Sequence, residues 1–156
     1  MYSITSESAR HPDILTLIGA LDRYQSELYP AESNHLLDLS ALPDASLILM
    51  IIRDLQLQAV GCGAIVLNGD GTGEMKRVYI DPTHRGQHLG ERLLAALEDE
   101  ALSRHCHTVR LETGIKQHAA VRLYEQCGYE LRPAFAPYVD DPLSLFMEKA
   151  LVEDVR

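Results

Sequence analysis

The chain has 156 residues, 46% of them apolar and 24% charged, without a low-complexity tract, which excludes a fibrous or disordered polypeptide. Fourteen basic against twenty-three acidic residues give a net charge of −9, which argues against nucleic acid and anionic membrane as partners. A chain of this length can bury about two-thirds of its unfolded surface, so a single domain spanning residues 1–156 is expected.

Met1 to Ile4 carries no basic stretch leading into an apolar one, and the longest apolar run, Leu47 to Ile52, is too short to span a bilayer. Three cysteines, Cys62, Cys106 and Cys127, form no Cys-x-x-Cys pair and no disulfide framework. A cytoplasmic protein is therefore expected.

A short strand begins at Ile4. Pro12 then opens a helix, with Ile14, Leu15, Leu17, Ile18, Leu21 and Leu28 at roughly helical spacing. Tyr29-Pro30 breaks this pattern, and Ser33 can cap a second short helix bearing Leu36, Leu37 and Leu39. Two apolar runs, Ser46 to Ile52 and Leu57 to Leu67, read as an antiparallel hairpin. Asn68-Gly69-Asp70-Gly71 turns the chain into a third strand over about Gly73 to Ile80. Strict alternation there places Glu74, Lys76, Val78 and Ile80 on one face and Met75, Arg77 and Tyr79 on the other.

Leu89, Leu93, Leu97 and Ala101 recur every four residues along a long helix, and Thr108 to Glu112 alternates as a strand. Gln117 to Gln126 reads as a helix stopped by Gly128, with closing strands at Tyr129 to Arg132 and Ser144 to Glu148. The order indicates an α+β domain with a central mixed β-sheet flanked by helices.

The turn from Arg85 to Gly90 precedes a helix whose first N–H groups lack intrahelical acceptors, so it attracts anions, and Arg85 adds a charged fork. Gly86 and Gly90 permit close approach of the backbone to a phosphate. The turn contains neither the Gly-Lys-Ser/Thr of a P-loop nor the three spaced glycines of a dinucleotide fingerprint.

Glu74-Met75-Lys76-Arg77-Val78-Tyr79-Ile80, then Arg85-Gly86-Gln87-His88-Leu89-Gly90, then Ala120-x-x-Leu123-Tyr124-x-x-x-Gly128-Tyr129, match in order and spacing the motifs of the GNAT (GCN5-related) N-acetyltransferase superfamily. The chain resembles that superfamily over residues 45–149, and more closely a bacterial branch through Leu111-Glu112-Thr113-Gly114 and the segment from Tyr138 to Ser144. The resemblance implies a GNAT-like acyl-CoA N-acyltransferase fold with acetyl-CoA (coenzyme A) as co-substrate and no metal. It implies that backbone groups of Gln87, His88, Leu89 and Gly90, with Arg85 and Gly86, hold the pyrophosphate. Val78, Tyr79 and Ile80 would pair with the pantetheine arm as an added strand, helped by Gln117 where relatives often have Asn. His88 departs from the family's glycine at that position and supplies its N–H if its φ is negative.

Acetyl transfer to an amine needs one proton removed from the ammonium and one given to the leaving thiolate. Glu74 matches the family's catalytic glutamate, although pairing with Lys76 or Arg77 is the alternative. Tyr124 matches the family's acid, and a tyrosine is a donor at neutral pH; the alternative is a core tyrosine. Glu32, Ser33, Tyr138 and Ser144 are candidate acceptor-pocket residues. His105, Cys106 and His107 lack zinc-ligand spacing. The expected partner is a small-molecule or amino-acid amine, with a homodimer left open. A protein or peptide amine, or a non-catalytic acyl-CoA sensor, are the competing readings.

Overall fold

The computed structural model describes residues 1–28 and 38–151. Strand β1 (Ser3–Ser6) leads to helix α1 (Pro12–Leu28), followed by strands β2 (Leu47–Arg53), β3 (Ala59–Leu67) and β4 (Thr72–Ile80). Helix α2 (Leu89–Ser103), β5 (Thr108–Gly114), α3 (His118–Gln126), β6 (Glu130–Arg132) and β7 (Ser144–Ala150) complete the order. Of the short helix expected from Ser33, the part through residue 37 lies outside the described residues, and Leu39 opens a single 3-10 turn, Leu39–Ala41, capped by Asp38.

Seven strands form one sheet in the order β1-β2-β3-β4-β5-β7-β6, antiparallel throughout except where β4 meets β5. This is the mixed α+β sheet that the sequence pattern indicates. The hairpin β2–β3 pairs Leu47 with Val66 through Ile52 with Gly61, as two apolar runs buried on both faces require. Gly69 and Gly71 in the next turn take φ of 83° and 90°, conformations that cost other residues energy.

Two cores lie on opposite faces of the sheet. The four-residue repeat of α2 sinks Leu89, Leu93, Leu97 and Ala101 against Ile48, Ile52, Ile65, Val109 and Leu111. Helix α3 joins this face through Ala120, Leu123 and Tyr124. On the other face Ile14 and Leu17 of α1 cover Leu49, Ile51, Cys62 and Ala64. Each buried aliphatic side chain contributes roughly 1.5–3 kcal/mol relative to exposure, so the two layers hold the sheet without cross-links. Cys62, Cys106 and Cys127 are free thiols. No described helix is long and apolar enough to cross a membrane.

Strand β5 runs two residues further than expected, because Thr113 and Gly114 find partners in Leu145 and Ser144 of β7. Its pairing with β4 covers only Thr72–Thr108 to Met75–Leu111. Beyond Met75 the two strands part, and the β4 edge from Lys76 to Ile80 runs without β5 alongside. That parting positions the site.

Candidate functional site

Strand β4 departs from simple alternation. Cys62 of β3 opposes Tyr79 and Ala64 opposes Lys76, so the single residue Gly63 faces both Arg77 and Val78. The additional residue makes a β-bulge, and Arg77 takes φ +55°, a left-handed conformation rare for a side chain of its size. Its guanidinium Nε lies 3.1 Å from Asp22 Oδ1 of α1, and Cys62 Sγ lies 3.5 Å from its carbonyl oxygen.

The bulge corrects the expected faces. Val78 and Ile80 pack with Met75 into the α2 core, whereas Tyr79 packs with the α1 core. Glu74 and Lys76, opposite Val66 and Ala64 of the α1 core, point to the α1 face. The same residues paired one to one with β3, without the bulge, would have kept Val78 and Ile80 beside Glu74. As built, the first half of β4 presents its polar side chains to one face and the second half presents Val78 and Ile80 to the other.

The turn after β4 begins with Asp81, whose carboxylate accepts from the Thr83 hydroxyl and backbone N–H at 2.7 and 2.9 Å. Those bonds hold its carboxyl below the usual range. Arg85, exposed, donates from Nε to the Ile80 carbonyl at 3.3 Å. Gly86 takes φ +85° and His88 φ +57°. The condition attached to His88, a negative φ, is therefore not met. His88 is the N-cap of α2 without a side-chain cap, its Nδ1 lying 2.7 Å from Glu91 Oε2. Its carbonyl accepts from Arg92 N–H, so the donors left without intrahelical acceptors are those of Leu89, Gly90 and Glu91.

Gly90 also has a second role. A methyl group placed on it would lie 2.8 Å from Leu123 Cδ2, so its missing side chain lets α3 approach α2. Leu89 is buried in the core and can offer only its backbone.

Turn, strand and α3 enclose a groove of about 520 Å³. Every residue expected to bind the cofactor lines it except Gln87: Val78, Tyr79 and Ile80 form one wall, Gln117 and Ala120 the other, and Arg85 to Gly90 the end. His84, His118 and Arg122 line it too, and were missed. The i, i+4 spacing of His118 and Arg122 was the available signal, since it puts both on one face of α3. The groove combines a strand edge that β5 leaves uncovered, helix N–H donors without intrahelical acceptors and the cations Arg85 and Arg122 in a protein of net charge −9. This donor set fits a long amide-containing arm that ends in phosphates. No group of three or more metal-ligating side chains occurs among the described residues.

On the α1 face, Tyr138 from the β6–β7 connection donates to Glu74 Oε2 at 2.5 Å. Lys76 Nζ lies 3.0 Å from the same oxygen and donates to Tyr138 Oη at 2.8 Å. Phe135 and Phe146 hold the Tyr138 ring, with centroids 5.2 and 5.7 Å away. Burial, then the bond to Glu74, pushes the Tyr138 hydroxyl well above its ordinary value of 10. Ser144 donates to Glu112 Oε2 at 2.7 Å nearby in sequence register, Glu112 opposing Phe146 on β7. Glu74, Tyr138 and Lys76 are thus brought together. Glu32 and Ser33 lie outside the described residues.

Tyr124 sits on the inner side of α3, 7% exposed, edge-on to Tyr129 at 5.9 Å. Burial raises its hydroxyl above 10, so it keeps its proton at neutral pH. Its neighbours Ala120 and Leu123 line the groove.

The acetyltransferase (GNAT) family pattern matches residues 14–129. The chain belongs to the GNAT acetyltransferase family. It is similar to the IAA acetyltransferase of Azospirillum brasilense, 45% identical over 96% of this chain and 97% of that protein. A solved structure from Klebsiella pneumoniae subsp. pneumoniae, described as a candidate acyl-CoA N-acyltransferase, is 57% identical with a TM-score of 0.89, covering 97% of this chain and 99% of that one. A GNAT phosphinothricin acetyltransferase from Sinorhizobium meliloti in complex with AcCoA shares the fold at 13% identity, TM-score 0.66, over 96% of this chain and 88% of that one. As a GNAT member the chain is an acetyl-CoA-dependent N-acetyltransferase.

Proposed function

We propose that this enzyme acetylates the primary amine of a small molecule or amino acid by direct attack. The observation that carries the reading is the division of β4: within seven residues it turns Glu74 to the α1 face and Val78 and Ile80 to the groove. One strand thus separates a polar acceptor side from a cofactor side.

In this reading the β4 edge from Val78 to Ile80 and Gln117 hold the pantetheine arm, while Arg85 and the first-turn N–H groups of α2 hold the phosphates. Acetyl-CoA supplies the acetyl thioester and a thiolate as leaving group. Glu74 removes the proton that an amine carries at neutral pH, and Tyr124 delivers one to the departing sulfur. Tyr138 and Ser144 shape the acceptor side. The free thiols Cys62, Cys106 and Cys127 support a reducing compartment, the cytoplasm.

The test is coenzyme A release followed with a thiol reagent across amino acids, polyamines and peptide N-termini. IAA joins the panel because the A. brasilense relative carries it in its name. Release driven by a small amine is expected. Tight acetyl-CoA binding without release by any of them would sink the small-amine reading.

A further inference from the structure

The contacts of the Glu74 carboxylate are one-sided. Both the Tyr138 hydroxyl and the Lys76 ammonium meet Oε2, whereas Oε1 makes no hydrogen bond among the described residues. We propose that Lys76 and Tyr138 are positioning residues that occupy Oε2 of Glu74, leaving Oε1 as the oxygen that takes the proton of the acceptor amine. The inference rests on the reading of Glu74 as the base. In the step, an N–H bond of the ammonium breaks, an O–H bond forms at Oε1, and nitrogen keeps the electron pair with which it attacks.

Directionality supports the assignment. A tyrosine hydroxyl has one proton to give, and Tyr138 gives it to Glu74, so its own oxygen is left to accept from Lys76. The chain Lys76 to Tyr138 to Glu74 therefore has one consistent orientation. An O–H donor to a carboxylate at 2.5 Å is in the charge-assisted range, among the stronger hydrogen bonds available to a side chain.

Each member is also fixed by its surroundings. Lys76 and Glu74 lie two apart on one face of β4, 10% and 13% exposed, opposite Ala64 and Val66. The small Ala64 opposite Lys76 leaves room for the lysine to lie along the sheet. The ammonium lies 5.5 Å from the Tyr138 ring centroid, and Phe135 and Phe146 fix that ring. A lysine so buried is expensive unless paired, and it can give up neither partner cheaply. The carboxylate consequently cannot rotate to offer Oε2, and a catalytic group held within a few tenths of an ångström of its working geometry gains in rate.

The experiment compares Lys76→Met, Lys76→Arg, Tyr138→Phe and Glu74→Gln, with Lys76→Met also made in the Glu74→Gln background. The rate followed is coenzyme A release from acetyl-CoA with water as acceptor, which must lose a proton as an amine does, and with each amine of the panel above. Calorimetry with acetyl-CoA and thermal unfolding are run on each variant.

Lys76→Met is expected to lower the rate about tenfold with acetyl-CoA affinity unchanged within about twofold, Tyr138→Phe to do so by about fivefold, and Lys76→Arg to restore most of the loss. In the Glu74→Gln background Lys76→Met should add less than about twofold, because its effect passes through that carboxylate. A full additional loss in that background, no loss from either Lys76→Met or Tyr138→Phe, or wild-type release no faster than in buffer would each overturn the inference. Where Lys76→Met does not fold, Tyr138→Phe alone and in the Glu74→Gln background decides by the same criteria. A Glu74→Gln enzyme at the wild-type rate would instead remove the base reading itself.

Discussion

Gly90 at the start of α2 and Leu123 in the middle of α3 are in such close apposition that a single carbon added to the glycine would lie 2.8 Å from a Leu123 methyl. The two helices that wall the groove are therefore spaced by an absent side chain. Gly90→Val is expected to destabilise the fold by about 2 kcal/mol through overpacking. In a Leu123→Ala background the added cost should fall below about 1 kcal/mol. Denaturant unfolding of the four proteins measures both numbers, and an undiminished cost in that background would place the strain elsewhere.

His88 carries a side chain at φ +57°, where glycine would be unstrained. A left-handed residue costs roughly 1–2 kcal/mol, and the exposed bond to Glu91 offsets little of it. His88→Gly is expected to raise the midpoint of thermal unfolding by about 2–4 °C, allowing for the greater freedom of glycine in the unfolded chain. A lower midpoint would mean that the bond to Glu91 outweighs the strain.

Arg85 is exposed at the groove end with one nitrogen on the Ile80 carbonyl. Arg85→Ala should weaken acetyl-CoA about tenfold, and the difference from wild type should shrink with added salt. Calorimetry at two ionic strengths checks this, and unchanged affinity at both would remove Arg85 from phosphate binding.

Tyr124→Phe tests the acid. Turnover should fall by about a hundredfold while acetyl-CoA affinity stays within about twofold, since the hydroxyl acts mainly in the transition state. Equal losses in both quantities would return Tyr124 to a packing role.

Glu148 gives the pH dependence. Arg110 Nε and Arg132 Nη1 both donate to its Oε1 at 2.7 Å, and these bonds, led by Arg110, hold its carboxyl below the ordinary 4.5. A depressed carboxyl adds stability above its unfolded value, and that stability is lost as pH falls through the folded one. Glu148→Gln should therefore be less stable than wild type at neutral pH, by under about 1 kcal/mol given its solvent exposure, and equal to it near about pH 2. Urea unfolding at both pH values reads the difference.

Most of the architecture was legible because its determinants are local. The four-residue repeat from Leu89 to Ala101, the apolar runs of β2 and β3, and Gly128 at φ +96° each announce their element within a few residues. The bulge was not legible, because Arg77 is an unremarkable residue for a strand and its left-handed backbone depends on its setting between Gly63 and Asp22. Nor was the link between Glu74 and Tyr138, 64 residues apart, which exists only once β7 has carried the preceding loop across the sheet. The groove motifs lay between these extremes: order and spacing marked the turn, but the sign of φ at His88 is a tertiary property.

The extra residue in β4 has a consequence for how this chain can change. Deleting Arg77 would leave Lys76, Val78, Tyr79 and Ile80 on the faces they already occupy, whereas pairing β3 and β4 residue for residue with Arg77 retained would turn Val78 and Ile80 to the face of Glu74. The β2–β3 connection at residues 54–58 faces solvent and shares in neither wall of the groove, so it is free to vary in length. Strand β4 works as a gauge block: the bulge at Arg77, more than the identities of the residues after it, sets which side chains reach the groove and which share the face of Glu74.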